Sequence, residues 1–344
     1  MNIPIKNMER DLGIDQIAPG ITATELKREG NITCMTLSDD AVYLGLGDGQ
    51  VVKLDKSFTE DTVASHTWAV VSLSKGQDGS IFSAGQDGRV MRHCGGDAAI
   101  ISEDENDWVN ALSTSNATGY LAVAKGRELN VFDGDSLMAH FQSPTSTFTD
   151  VVFSPDGKEL AASCYNGVSL FSTTDPDKAD ILPWKGSLVE VSWSPDGRFI
   201  AAATQDREIH MWDLVDGKDY RLGGFTAKPR QLCWTACSNY LISLGSDVIA
   251  AWPLAGGPGA FPPQEIGYAS NAQLSAVTAG GAIDRIAGGF SDGSILIGNI
   301  RSGEAMIARI PDGASVTVLE WEKGQKTLYF GTAAGNYGAI SMPE

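Results

Sequence analysis

Four histidines and five cysteines are the residues of this chain best equipped for general-base, nucleophilic or metal chemistry. His66, His93, His140 and His210 are scattered, and no HExxH places two imidazoles on one helix face for zinc. Cys34, Cys94, Cys164, Cys233 and Cys237 are odd in number and widely spaced, which reads as reduced cytosolic thiols. Cys233 and Cys237 flank Trp234, but no second pair or histidine cluster completes four ligands. No phosphate-binding loop occurs. Asp48, Asp87, Asp206, Asp247 and Asp292 recur in similar short turns. Turn geometry explains that recurrence, with a ring of carboxylates for a cation as the sharper alternative. No catalytic residue, metal or cofactor is therefore assigned.

The elements that would position these residues are short and repeated. Residues 191–214 read VSWSPDGRFIAAATQDREIHMWDL, three apolar runs split by two turns. Turns matching the second of these fall near residues 48, 87, 126, 165, 206, 246, 292 and 334, in steps of 39, 39, 39, 41, 40, 46 and 42 residues. Each copy has a first run (ITCMTL, VEVSW, VTVLEW), a second (AVYLGL, FIAAAT, TLYFGT) and a third (VVKLD, IHMWD, YGAI), with a less regular fourth segment. Gly and Asp in the turns permit the positive backbone angles that hairpins need. Runs rich in Val, Ile, Leu and small residues suit strands sandwiched between neighbouring sheets. A period of 40–45 residues with several strands per period is the signature of a β-propeller.

The third runs end in Leu54-Asp55, His93-Cys94, Phe132-Asp133, Phe171-Ser172, Trp212-Asp213, Trp252-Pro253, Gly298-Asn299 and Ile340-Ser341. With one Trp-Asp and two further apolar-Asp pairs, the chain resembles the WD40-repeat family over nearly its whole length. That family usually places Gly-His before the first strand, and only Ser65-His66 comes near it here. The resemblance thus implies a His–Ser–Asp–Trp hydrogen-bond network incomplete in every copy, although His66 and His93 share a unit and could meet. The expected fold is all-β: a single closed propeller of four-stranded blades. Eight blades are favoured, since 344 residues over eight units is 43 each. The alternative is seven blades plus an appended hairpin. Residues 32–344 would form the propeller. Residues 1–31 would supply, through 21–29, the closing outer strand of a last unit that ends too soon to make its own.

Composition narrows function. The net charge is −18, with 43 acidic against 25 basic residues. That disfavours a general grip on nucleic acid or on anionic membranes. Solubility explains the acidity, and a basic protein partner is the functional alternative. The N-terminal stretch has no apolar core of signal-peptide length and no eighteen-residue apolar run occurs, so a cytoplasmic location is expected.

The candidate binding surface is aromatic. Aligning the first strands puts Trp68, Trp108, Phe148 and Leu188 where the strand begins in four consecutive units, on the face that family resemblance implies partners use most. Packing inward between blades is the competing reading. Arg230, after Pro229, would extend the surface, with Gln273 and Ser315 as its counterparts. The longest step contains LAGGPGAFPPQE at 254–265, a loop in which Phe261 could meet a partner. The expected function is a non-catalytic, WD40-like platform for protein partners. A propeller enzyme or small-ligand or metal binder working at the channel mouth is one alternative. A structural subunit of an obligate assembly is another.

Overall fold

A computed structural model describes residues 16–104, 107–269, 272–280, 284–322, 324 and 326–343. Every regular element among them is a β-strand. The reason is visible in the second strand of the unit quoted above. Phe199–Thr204 is buried at all six positions. A strand covered on both faces needs small and branched apolar side chains throughout, not alternation. Outer strands such as Glu60–Ser65 are polar and half exposed.

Neighbouring strands pair antiparallel within each unit. In six of the first strands the register slips once, two residues in, as at Ile32/Cys34, Val109/Ala111 and Leu188/Glu190. Each slip is a β-bulge, which sharpens the local twist and frees one residue from the ladder. The first strands follow one another in a closed ring: Ile32–Leu37, Val70–Lys75, Val109–Thr114, Asp150–Phe153, the second half of Ala179–Trp193, Leu232–Trp234, Leu274–Ala279, Val316–Trp321, and back to the start.

The sheet count differs from the expectation of eight separate four-stranded blades. Among the described residues there are seven sheets, six of four strands and one of six. The cause is local. The strand Ala179–Trp193 pairs through Ala179–Ser187 with Glu159–Ser172 and through Leu188–Trp193 with Phe199–Thr204. It serves as the outer strand of one unit and the inner strand of the next. Glu159–Ser172 likewise joins two runs, pairing through Leu160–Ser163 with Asp150–Phe153 and through Gly167–Phe171 with Ala179–Pro183, so two units share one sheet of six strands.

The first and last described strands pair. Thr22–Lys27 is the outermost strand of the last sheet and pairs with Asn336–Ser341, from Thr22 opposite Ser341 to Lys27 opposite Asn336. Arg309 carries the charge at this junction. It donates to Glu25 at 2.6 and 3.0 Å, to Asp312 at 2.6 Å and to the Gly293 carbonyl at 2.6 Å.

Two recurring devices tie several of the seams between inner strands. At the bulge position, Thr33, Thr149, Ser275 and Thr317 each donate a hydroxyl to a carbonyl of the next inner strand: Val70, Leu188, Val316 and Ile32, at 2.7–3.0 Å. One residue later, Asp150, Glu190 and Gln231 each accept an amide from the next inner strand: Val191, Leu232 and Val277, at 2.7–3.1 Å. The Thr317–Ile32 bond ties the last unit to the first.

Candidate interaction face

The antiparallel order gives the ring two faces. First strands begin, and second strands turn into third strands, on one of them, here called the leading face. The first-to-second turns and third-to-fourth connections lie on the other, the trailing face.

On the leading face Trp68 and Trp108 stand out from adjacent units, 63% and 67% exposed. Phe148 and Leu188 do not join them; both are fully buried. This corrects the expected four-residue patch, and strand register explains it. The bulges place Phe148 and Leu188 level with Val70 and Val109, which are also buried. Trp68 lies two residues before Val70 and Trp108 one before Val109. Both tryptophans therefore lie in the connections before their strands, outside the ladder that buries Val70, Val109, Phe148 and Leu188, so four residues that look equivalent along the chain divide into two exposed and two core.

The ground beneath the tryptophans is acidic and firmly held. Asp48, Asp104 and Asp107 are exposed there. Below them the buried Lys125 donates to the Gly88 carbonyl at 2.6 Å and to Ser102 at 3.1 Å. Burial lowers the Lys125 pKa, and the charges of Asp104 and Asp107 oppose that shift.

Between the two tryptophans runs a buried chain of hydrogen bonds. Asp87 meets His66 Nδ1 at 3.0 Å, His66 Nε2 meets Ser83 at 2.8 Å, and Ser83 meets His93 Nε2 at 2.8 Å. Asp87 also accepts the Thr67 amide at 2.8 Å. With His66 donating from Nδ1 to the carboxylate, Nε2 accepts from the Ser83 hydroxyl, which accepts in turn from His93. The network expected to be incomplete is thus connected in this unit, with His93 in the place of the family's Trp. Burial, with the neighbouring His66, holds the His93 pKa down to about 4. Asp, His and Ser stand in the order of a hydrolytic triad, but Ser83 is wholly buried. A nucleophile needs substrate within reach, so this arrangement braces the turn that presents Trp68. Ser83→Ala leaves two ring nitrogens unpaired and is expected to lower unfolding stability by about 2 kcal/mol in a urea titration.

One motif escapes the sequence reading. Gly289-Phe290-Ser291-Asp292-Gly293 has the G-x-S-x-G spacing. It lies in the hairpin between Arg285–Phe290 and Ile295–Asn299, where the Ser291 hydroxyl accepts the Gln273 amide at 3.0 Å. A nucleophile elbow requires a strand running into a helix, which this hairpin is not. Among the described residues, no group of three or more His, Cys, Asp or Glu is placed to hold a metal ion. Cys233 faces the ring interior, where burial raises its thiol pKa, and Cys237 is exposed.

Arg230 is exposed on the leading face, across the ring from the tryptophans. Its register counterparts are Ser275 and Thr317 at the bulge, not Gln273 and Ser315 as the sequence alignment suggests. Two cavities flank it. One of about 270 Å³ is lined by Val189, Glu190, Gln205, Lys228, Pro229 and Arg230. The other, of about 370 Å³, is reached by Lys228, Arg230, Ser246, Gln273 and Ser275. Phe261 is 55% exposed in a third-to-fourth connection, which puts it on the trailing face, away from all of these.

Known proteins resemble this chain in the same terms. The family model "WD domain, G-beta repeat" matches residues 184–213. Human echinoderm microtubule-associated protein-like 3 is 24% identical over 69% of this chain and 28% of its own length. The 66 kDa stress protein of Physarum polycephalum is 28% identical over 36% of this chain and 23% of its own length. The chain therefore spans about a quarter of the length of these relatives. Among solved structures, the C-terminal WD40 domain of Sif2 superposes with a TM-score of 0.74 at 12% identity, covering 94% of this chain and 99% of that domain. The computationally designed Ika8 protein also superposes at 0.74, with 17% identity over 92% of this chain and 98% of its own. The period, the ring of inner strands, the braced Asp–His–Ser–His turn and these likenesses agree: the chain is a WD40-repeat β-propeller.

Proposed function

We propose that this propeller is a non-catalytic platform that binds a protein partner through its leading face. The observation that carries this reading is the pair Trp68 and Trp108. Two large aromatic side chains stand more than 60% exposed on adjacent units, above a turn held rigid by buried hydrogen bonds. Isolated apolar residues on a surface need no explanation, but indoles clustered on a rigid support are the composition of interface hot spots. Asp48, Asp104 and Asp107 around them favour a partner with Lys or Arg at the contact, where an indole face and a carboxylate attract a cation together. The buried state of Ser83 and His66 supports the non-catalytic half of the reading.

The test is an affinity capture from the source cells with wild type and a Trp68→Ala/Trp108→Ala variant, both checked for folding by thermal melting. Both substitutions are at exposed positions, so the melting temperature is expected to stay within a few degrees. A captured protein lost from the variant, with affinity down about thirtyfold or more in a purified binding assay, supports the reading. Identical capture by both proteins would remove it.

A further inference from the structure

The sixth unit carries a cation at a position where the other units carry Thr, Ser, Val or Asn. In the first, fourth, seventh and eighth units the bulge residue is Thr or Ser, and its hydroxyl ties the inner strand to the next. In the second, third and fifth units this residue is Val71, Asn110 and Val189, and in the sixth it is Arg230, the one cation at this position. None of these four makes such a tie. Both seams of the sixth inner strand are instead spanned by the longer side chains of Glu190 and Gln231. Gln231 takes a positive φ of 46°, a backbone conformation that side chains disfavour. The inner strand itself is cut to three residues, Leu232–Trp234. The result is the pair of cavities, one along each seam, that share Lys228 and Arg230 as walls.

The segment holding these two cations is fixed. Pro229 between them is buried. The Ala227 amide donates to the Gly245 carbonyl at 2.9 Å, and the Leu244 amide to the Arg230 carbonyl at 3.2 Å. Gly245 has a φ of 124°, and a Cβ there would lie 3.1 Å from the Pro229 Cα, so only glycine lets the two backbones close. Lys228 donates to the neutral Gln205 at 2.5 Å. Among the described residues no carboxylate forms an ion pair with Lys228 or Arg230, in a chain with 43 acidic residues. Local rules broken without internal compensation mark functional positions.

We infer that the notch around Arg230 binds a carboxylate carried by an Asp- or Glu-bearing segment of a partner protein. The planar guanidinium fork matches a carboxylate in bidentate fashion. Lys228 adds a second charge two residues away, and Gln273 and Ser246 line the cavity beside them as further polar groups. Each cavity admits a side chain. The leading face is then divided by charge: an acidic, aromatic sector around Trp68 and Trp108 and a basic notch across the ring. This inference rests on the leading face being an interaction surface, but not on the tryptophan pair.

The test is fluorescence anisotropy with fluorescein-labelled hexaglutamate, and hexaglutamine as the neutral control. It uses the full chain, Arg230→Gln, Lys228→Gln and the control Arg127→Gln, each verified by thermal melting. Expected is saturable binding of hexaglutamate to wild type and to Arg127→Gln, about tenfold weaker for Arg230→Gln, weakening with salt, and competed by glutarate. Equal affinity for Arg230→Gln overturns the inference, as does no binding to wild type or equal binding of hexaglutamine. Stronger competition by inorganic phosphate than by glutarate overturns it in favour of a phosphate site. The Trp68→Ala/Trp108→Ala variant separates the two proposals, since it is expected to lose its captured partner yet keep hexaglutamate.

Discussion

Arg309→Ala is expected to lower the unfolding free energy by about 3–5 kcal/mol, the range for removing one partner of a buried ion pair. Arg309 is 6% exposed and holds Glu25 on the closing strand together with Asp312 and the Gly293 carbonyl. Burial works against its charge, but the hydrogen bonds and charges of Glu25 and Asp312 prevail and raise its pKa above the ordinary arginine value. Truncation does more than remove these bonds. It leaves the two carboxylates close together and frees Thr22–Lys27 from one of its side-chain anchors. Further anchors are Asn336, which donates to Glu25 at 2.9 Å, and Arg28, which reaches Glu60 at 2.7 Å and Gln50 at 2.9 Å in the first unit. The measurement is a urea unfolding curve followed by tryptophan fluorescence. Arg309→Ala should shift the midpoint far more than the exposed control Arg301→Ala. A shift no larger than the control would mean that the junction holds without its charges. A curve with two transitions would show the ring opening before the units unfold.

Glu190→Gln is expected to change the pH dependence of stability rather than its value at acid pH. Burial raises the Glu190 carboxyl to about 8, assisted by the nearby charge of Asp150. Burial likewise raises Asp150 to about 6 and Glu320 to about 7. A raised carboxyl keeps its proton in the folded state while the unfolded chain has already released it. The folded state then binds more protons between about 4.5 and 8, so this contribution to stability is full below that window and is lost as pH rises through it. His93 and His210 act the other way. Burial depresses both to about 4 from 6.5, so their contribution is full above 6.5 and is lost as pH falls toward 4. The two effects separate above pH 6.5, where the histidines are neutral in the folded state and lose their remaining charge in the unfolded one. From pH 6.5 to 8 the wild type should lose about 2 kcal/mol through Glu190. Glu190→Gln, whose amide oxygen can still accept the Leu232 amide, should lose clearly less over that range, the remainder coming from Glu320. Equal slopes for the two proteins would show that Glu190 is ionised throughout.

How much of this was legible in the residues differs from feature to feature. The turns near residues 48, 87 and 206 and the all-apolar second runs were readable because a strand buried on both faces tolerates only such side chains, and a tight turn only Gly, Asp or Asn. The shared sheet of the fourth and fifth units was not readable. Whether KGS at 185–187 turns the chain or continues a strand depends on where the neighbouring strand lies. The aromatic surface was half legible. Trp68 and Trp108 could be picked out by type, but their separation from Phe148 and Leu188 hangs on bulges that shift register by one residue. No composition signal marks a bulge. Arg230 was visible as an odd residue, while its significance came from what replaces it elsewhere, the hydroxyls of Thr33, Thr149, Ser275 and Thr317.

By itself, then, the sequence determined the repeat, the strand character and the general class of fold, because those follow from local periodicity and from burial summed over many residues. Only the tertiary structure decided which side chains stand free on the leading face, that Asp87, His66, Ser83 and His93 join in one chain of bonds, and that two cavities open beside Arg230. Those outcomes depend on ångström-scale register between strands some forty residues apart, and a linear pattern with a period of two carries no such distance.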